Sequence, residues 1–184
     1  MTTHMTRQSG TTLVVALIML LVMTILGITS VSTSVLQEKM AGNMRDQAVA
    51  FEAAEAAVRA GENWISNQEF RPEPKASYPG LNGVWKAGIL GNLSNQNYSW
   101  WTDNSSSRHS VSYEEFDSAL SITQANTQPR IIIEHGAFIP DDLGLGGQYG
   151  EQSGRHYYKI TGYGVGATRT AQAVVQSTFV KRFK

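Results

Sequence analysis

Hydrophobic positions fall along this chain in two regimes before the pattern becomes irregular. No charged residue occurs between Gln8 and Gln37, and the stretch from Leu13 through Met23 is apolar on every side of a helix. Such a segment must leave water. Beyond Leu36 the spacing changes to threes and fours, with Met40, Met44, Ala48, Phe51, Ala54, Val58 and Ile65 recurring on one helical face. Glu55 and Arg59 add an i,i+4 pair with the acid first. No proline precedes Pro72, so the pattern predicts one helix from about Leu13 to Asn67, roughly 80 Å long. Its first half is fit for lipid and its second half is amphipathic.

The stretch from Arg71 to Gly80 gathers Pro72, Pro74 and Pro79 and ends the helical region. From Gly80 to Gln128 the chain is rich in Asn, Ser and Gly. Within it, Ser99-Trp100-Trp101-Thr102 reads as a strand and Asn104 to Ser107 as a loop. Ser112-Tyr113-Glu114-Glu115 matches a capping box, with Phe116, Ala119 and Leu120 behind it. The last third reads as strands: Arg130 to Glu134, Tyr157 to Val165, and Arg169 to Phe179, the last two turning around Gly166-Ala167-Thr168. Ala173, Val175 and Phe179 share one face, and Val174, Thr178 and Val180 the other. Pro140 to Glu151 is a long loop. The expected fold class is therefore α+β. A long N-terminal helix projects its apolar half and lays its amphipathic half, through Met40, Met44, Phe51 and Val58, on a small antiparallel meander of about three or four strands.

Three fates are open to the apolar segment. A secretory signal would use Arg7 as its basic flank and Ser30-Val31-Ser32 or Ser32-Thr33-Ser34 as its cleavage site. A permanent anchor is the second: Leu13 to Ile28 is about 16 residues, roughly 24 Å, short of a ~30 Å hydrocarbon core, but continuing to Leu36 makes it long enough. The third is a short polar leader ending at Gly10, removed in front of the apolar run so that the run stays in the mature chain.

Context favours the third. Arg7-Gln8-Ser9-Gly10 before Thr11-Thr12-Leu13-Val14-Val15, then Gln37-Glu38-Lys39-Met40-Ala41-Gly42-Asn43-Met44-Arg45-Asp46 and Ala50-Phe51-Glu52-Ala53-Ala54-Glu55-Ala56-Ala57, resemble the PilX-type minor pilins of type IV pili. The resemblance covers residues 7 to 67 and implies a pilin-like plan: leader 1–10, membrane and fibre-core helix 11–36, amphipathic helix 37–68, and globular β-domain 69–184. It implies cleavage by prepilin peptidase between Gly10 and Thr11, and N-methylation of Thr11. Leu13, Val14, Val15, Leu17, Ile18, Leu20 and Leu21 would pack against other pilin helices after release from inner-membrane lipid. The implied partners are other minor pilins, the major pilin and a large tip adhesin. The implied location is the inner membrane, with a cytoplasmic N-terminus and periplasmic domain, and then the extracellular pilus. The same leader and helix also occur in type II secretion pseudopilins.

One departure carries information. Most such pilins have a Glu where this chain has Val15, and that Glu pairs with the terminal amine of a neighbour. An unpaired charge in an apolar setting costs roughly 2.5–3.5 kcal/mol on insertion scales. A subunit without the Glu suits a place with nothing above it, the fibre tip; the simpler reading makes Val15 one more lipid-facing residue. Gly27, Thr29, Ser30, Ser32, Thr33 and Ser34 weaken the helix on propensity alone. Their hydroxyls are expected to bond back to the preceding turn.

Composition narrows the function. The chain has 184 residues, 15 basic and 15 acidic, and no basic face, which argues against nucleic acid as a partner. With no cysteine it forms neither disulfides nor thiolate metal sites, so the exported domain must rely on its core. Asp141, Asp142 and Glu151 are oxygen donors in one loop, but their spacing is not that of an EF-hand, and a solvated turn explains them. Gly162, Gly164 and Gly166 alternate within a strand and precede no helix, which indicates backbone relief or a bulge rather than a phosphate loop. His109, His135, His156 and Glu134 lack the i,i+4 helical spacing of a zinc pair. No nucleophile elbow is present. Neither catalysis, cofactor nor metal is predicted. Trp64, Trp85, Trp100 and Trp101 are expected mainly in the core, with the Trp100-Trp101 pair split one in and one out.

Overall fold

A computed structural model of the chain describes residues 10–79, 83–105, 108–116, 121–141 and 154–183. The chain divides into two compact units between Met44 and Arg45, and one helix, α1 (Thr11–Asn67), contributes to both. In the first unit every described residue after Gly10 is helical. The hydroxyls of Thr24, Thr29, Ser32, Thr33 and Ser34 donate to the carbonyls of Leu21, Ile25, Ile28, Thr29 and Ser30, at 2.6 to 3.2 Å. Each polar group is thereby satisfied within the helix and presents little polarity outward. Among the described residues, beyond the helix's own adjacent backbone, no atom lies within 4 Å of where a Cβ on Gly27 or Gly42 would stand.

The second unit is built on a sheet. Its elements are β1 (Pro74–Lys75), β2 (Val84–Lys86), a 3₁₀ turn (Leu93–Asn95), α2 (Tyr98–Trp101), β3 (Val111–Ser112), α3 (Tyr113–Phe116), β4 (Arg130–Pro140), β5 (Gly154–Val165) and β6 (Gln172–Lys181). β4, β5 and β6 form the expected antiparallel meander, with Ile131 opposite Gly162 and Tyr163 opposite Val174. The sheet as a whole is mixed rather than antiparallel. Its order is β1-β2-β4-β5-β6, β3 pairs with β4, and β1–β2 and β2–β4 run parallel. A parallel pair needs a long crossover. The segment between β2 and β4 supplies it for that pair, and its Asn- and Ser-rich composition concealed that Leu93 and Trp101 pack on a sheet face.

Strand alternation sorts the apolar side chains into two cores. On one face Val84, Ile131, Ile133, Tyr158 and Ile160 pack with Ala57, Val58 and Ile65 of α1. On the other, Trp85, Ile132, Tyr163 and Val165 pack with Leu93 and Trp101 from the crossover. The segment expected as a strand, Ser99 to Thr102, falls in and after helix α2. Asn97 caps it by accepting from the Trp100 amide at 2.9 Å, and that local bond outweighs the β-preference of the two tryptophans. The capping-box reading of Ser112 to Glu115 holds: the Glu115 carboxylate accepts from the Ser112 amide at 3.1 Å, ahead of α3. Ala119, Leu120 and most of the 140–151 loop lie outside the described residues.

Candidate assembly helix and its seat on the sheet

The first-unit part of α1 presents large apolar side chains outward. Leu13, Val14, Val15, Leu17, Ile18, Leu20 and Leu21 are each between 54% and 66% exposed. The helix is long and apolar enough to cross a membrane, and it lies near the N-terminus.

The second-unit part of α1 is seated by small residues. Its buried positions are Ala50, Ala53, Ala54, Ala57, Val58, Gly61 and Ile65. Of the four residues expected to pack on the sheet, two fall in this unit: Val58 is buried and Phe51 is 52% exposed, while Met40 and Met44 belong to the first unit. For Phe51 the physical reason lies in β5 and the glycine just after it. A Cβ on Gly162 would run into the Ala54 carbonyl oxygen and stand 2.9 Å from Val58 Cγ2. One on Gly164 would meet the Ala50 carbonyl oxygen, and one on Gly166 the Asp46 carboxylate. On the helix side, a Cβ on Gly61 would stand 2.7 Å from Ile160 Cγ2. The glycines therefore let the helix backbone approach the strand directly. The bulge in the sheet falls elsewhere, between His135 and Ala137.

Polar contacts fix this seat at both ends. The Asp46 carboxylate accepts from the Thr168 amide at 3.1 Å and from the Thr168 hydroxyl, and these bonds hold its pKa below the usual aspartate value. Gln47 donates to the Gln172 carbonyl at 3.3 Å. At the far end Lys181 Nζ donates to the carbonyls of Ile65 (2.9 Å), Ser66 (2.8 Å) and Gln68, capping the end of α1 with a cation where the helix dipole is negative. Between them Ser177 donates to Glu62. Sequence reasoning missed Asp46, Lys181 and the alanine face. The signal for the last was present in the repeat Ala50, Ala54 against Gly164, Gly162, two small-residue rows whose spacings match the rise of a helix and of a strand.

Two family models match this chain. PilX N-terminal covers residues 9–59, and Type IV pilus assembly protein PilX C-term covers residues 48–181. The chain belongs to the PilX family. It is thus a minor pilin of the type IV pilus, a structural component of that fibre. No curated protein and no solved structure matches it. The N-terminal model spans the apolar run and the start of the seat, and the C-terminal model spans the buried seat positions from Ala50 and the whole sheet.

The remaining candidate residues of this PilX family member separate in space. His135 Nε2 and His156 Nδ1 lie 3.0 Å apart, beside Phe138, Tyr158 and Phe183. Burial, and then the neighbouring His156, push the His135 pKa down. His109 is elsewhere, stacked 4.6 Å from Trp100 and 6.1 Å from Trp85. Glu134, buried, has Lys159 Nζ at 2.9 Å from Oε2. Among the described residues no group of three or more His, Asp or Glu could hold a metal. Asp141 pairs with Arg182 at 2.9 Å and lies 3.6 Å from Arg155, while Asp142 and Glu151 lie outside the described residues.

Trp101 is fully buried and stacked 4.9 Å from Tyr163; Trp85 is buried; Trp64 and Trp100 are half-buried. The Tyr158 and Tyr163 hydroxyls are pushed up to about 12 by burial. These groups serve the core and the sheet faces.

Proposed function

We propose that this chain is a minor pilin that helps prime type IV pilus assembly and stands in or near the tip complex, presenting a tip adhesin. It does so from the inner membrane, with its domain periplasmic before the fibre extends outside the cell. Prepilin peptidase cuts between Gly10 and Thr11, and Thr11 becomes the methylated N-terminus. Residues 11–36 anchor the subunit in lipid and then bundle with other pilin helices, residues 37–68 carry the rest of the helix, and residues 69–184 form the docking domain.

The observation that carries this reading is the run of outward apolar residues, with Val15 where the family resemblance implies an acid. Bulky side chains left exposed over so long a helix require an apolar surround. Without a carboxylate at Val15, this subunit leaves unpaired the amine of any subunit stacked above it, which favours a terminal place.

Mass spectrometry of the cell-derived protein tests the first half, with methyl-threonine at Thr11 as the expected N-terminus. A start near Val35 or an intact Met1 overturns it. Val15→Glu tests the second half: tip labelling and pilus number should change, and unaltered values for both remove the argument for the tip. If deletion leaves pili intact and stops protein secretion instead, the subunit belongs to a pseudopilus.

A further inference from the structure

The two ends of the strand order are built differently. β1 is a two-residue edge, Pro74 and Lys75. Proline offers no N–H and lysine brings a charge, two features that stop another strand from adding. β6 is a ten-residue edge in unbroken register with β5, without proline, and without a charged side chain before Lys181. Neither basic residue at its end stands guard: Lys181 Nζ is held by the carbonyls that end α1, and Arg182 pairs with Asp141.

Burial points the same way. Ile160, Gly162 and Gly164 of β5 are buried on the helix side, whereas Ala173, Val175, Ser177 and Phe179 of β6 are only half-buried. On the other face Val174 is half-buried and Val180 is 42% exposed. An antiparallel edge strand also leaves the N–H and C=O of alternate residues without a ladder partner.

We propose that the outer edge of β6 is a docking site for one extended strand from another pilus subunit, uncharged over its pairing length and carrying apolar or β-branched residues at alternate positions. Main-chain hydrogen bonds would supply the attachment. Contacts with the Val175/Phe179 row on one face and the Val174/Val180 row on the other would supply selectivity. This rests on the reading that the chain works among other pilus subunits.

A second copy of this chain fits less well. The seated part of α1 runs along β5 in the opposite sense, since Ala50 meets Gly164, Ala54 meets Gly162 and Gly61 meets Ile160. Two copies joined antiparallel through β6 would set the seated parts of α1 in opposite directions, whereas subunits that enter one fibre from one membrane share an orientation.

The test uses the full chain in piliated cells, with a photo-cross-linking residue at Thr178 or Val180, and at Lys75 for comparison. The expected product joins Thr178 or Val180 to an uncharged, alternating segment of another pilus subunit, identified by peptide mass spectrometry, with none from Lys75. The double change Thr178→Lys and Val180→Lys should reduce that product and pilus number roughly tenfold, with the thermal melt of the purified chain in micelles unmoved. Cross-linking to a second copy, or normal piliation and cross-linking by the charged variant, overturns the proposal. If deleting the whole chain abolishes pili while charging the edge does nothing, docking at β6 falls alone. If deletion leaves pili unchanged, the assembly reading falls and takes this proposal with it.

Discussion

The two parts of α1 are both rich in apolar residues, yet they use them in opposite ways. Up to Met44 the helix carries Leu, Ile, Val and Met, and its large side chains from Leu13 to Leu36 all stand substantially exposed. From Arg45 onward the buried positions are mostly Ala and Gly. Hydrophobicity and burial within the chain are therefore separate properties of a helix. Large side chains maximise the area offered to an external apolar surround. Small ones give up area so that a backbone can approach another backbone, and dense packing makes that approach intolerant of one added carbon.

The sharpest way to break this contrast is to enlarge a seat residue. Gly164→Val should drive a side chain into the Ala50 carbonyl and cost more than about 3 kcal/mol, enough to threaten folding of the second unit. Urea denaturation of the full chain in micelles, followed by tryptophan fluorescence, checks this; Trp85 and Trp101 are buried reporters. A stability within 1 kcal/mol of the parent, on the order expected for a surface change, means that the helix does not need to lie so close.

A paired truncation sharpens the contrast on one helix. Val58→Ala should cost about 2 kcal/mol, because it removes two buried carbons and leaves a void. Phe51→Ala, though it deletes a larger side chain, should stay within about 0.5 kcal/mol. Equal losses would restore Phe51 to the packing face.

Lys181→Met keeps most of the side-chain volume and removes the cation from three carbonyls at the end of α1. A loss of about 1 kcal/mol is expected, with faster amide exchange in the last turn of the helix. Unchanged exchange there would show that the cap contributes nothing.

The smallest effect concerns pH. His135 has its folded pKa held below 6.5 by burial and by His156, with Arg71 also opposing its charge. The unfolded chain therefore binds that proton more readily. The contribution is intact above about pH 6.5 and is lost as pH falls from there toward the lowered folded value. His135→Phe should flatten stability against pH in that window, and an unchanged slope would assign the dependence to another group.

Much of this was legible in one dimension. The apolar run and the absence of proline before Pro72 marked the long helix to within two residues of its observed start. β-Branched runs and turn residues marked β4, β5 and β6. The capping box at Ser112 was also readable, because helix ends are set by residues within one turn of each other. Phe51 was expected on the seat because it looks like a better core residue than alanine does. Nothing local said that β5 would present glycines there. Likewise Ser99 to Thr102 looked like a strand until Asn97 was seen capping a helix.

The sequence by itself determined that the chain carries a long apolar helix and a C-terminal β-meander, because periodicity and chain continuity are local properties. Tertiary structure alone decided which helix face is spent inside the domain, that Leu93 and Trp101 cover the second sheet face, that His135 and His156 meet, and that β6 is left as an open edge. Those outcomes depend on which backbones approach closely enough to touch, a property of pairs of segments far apart in the chain.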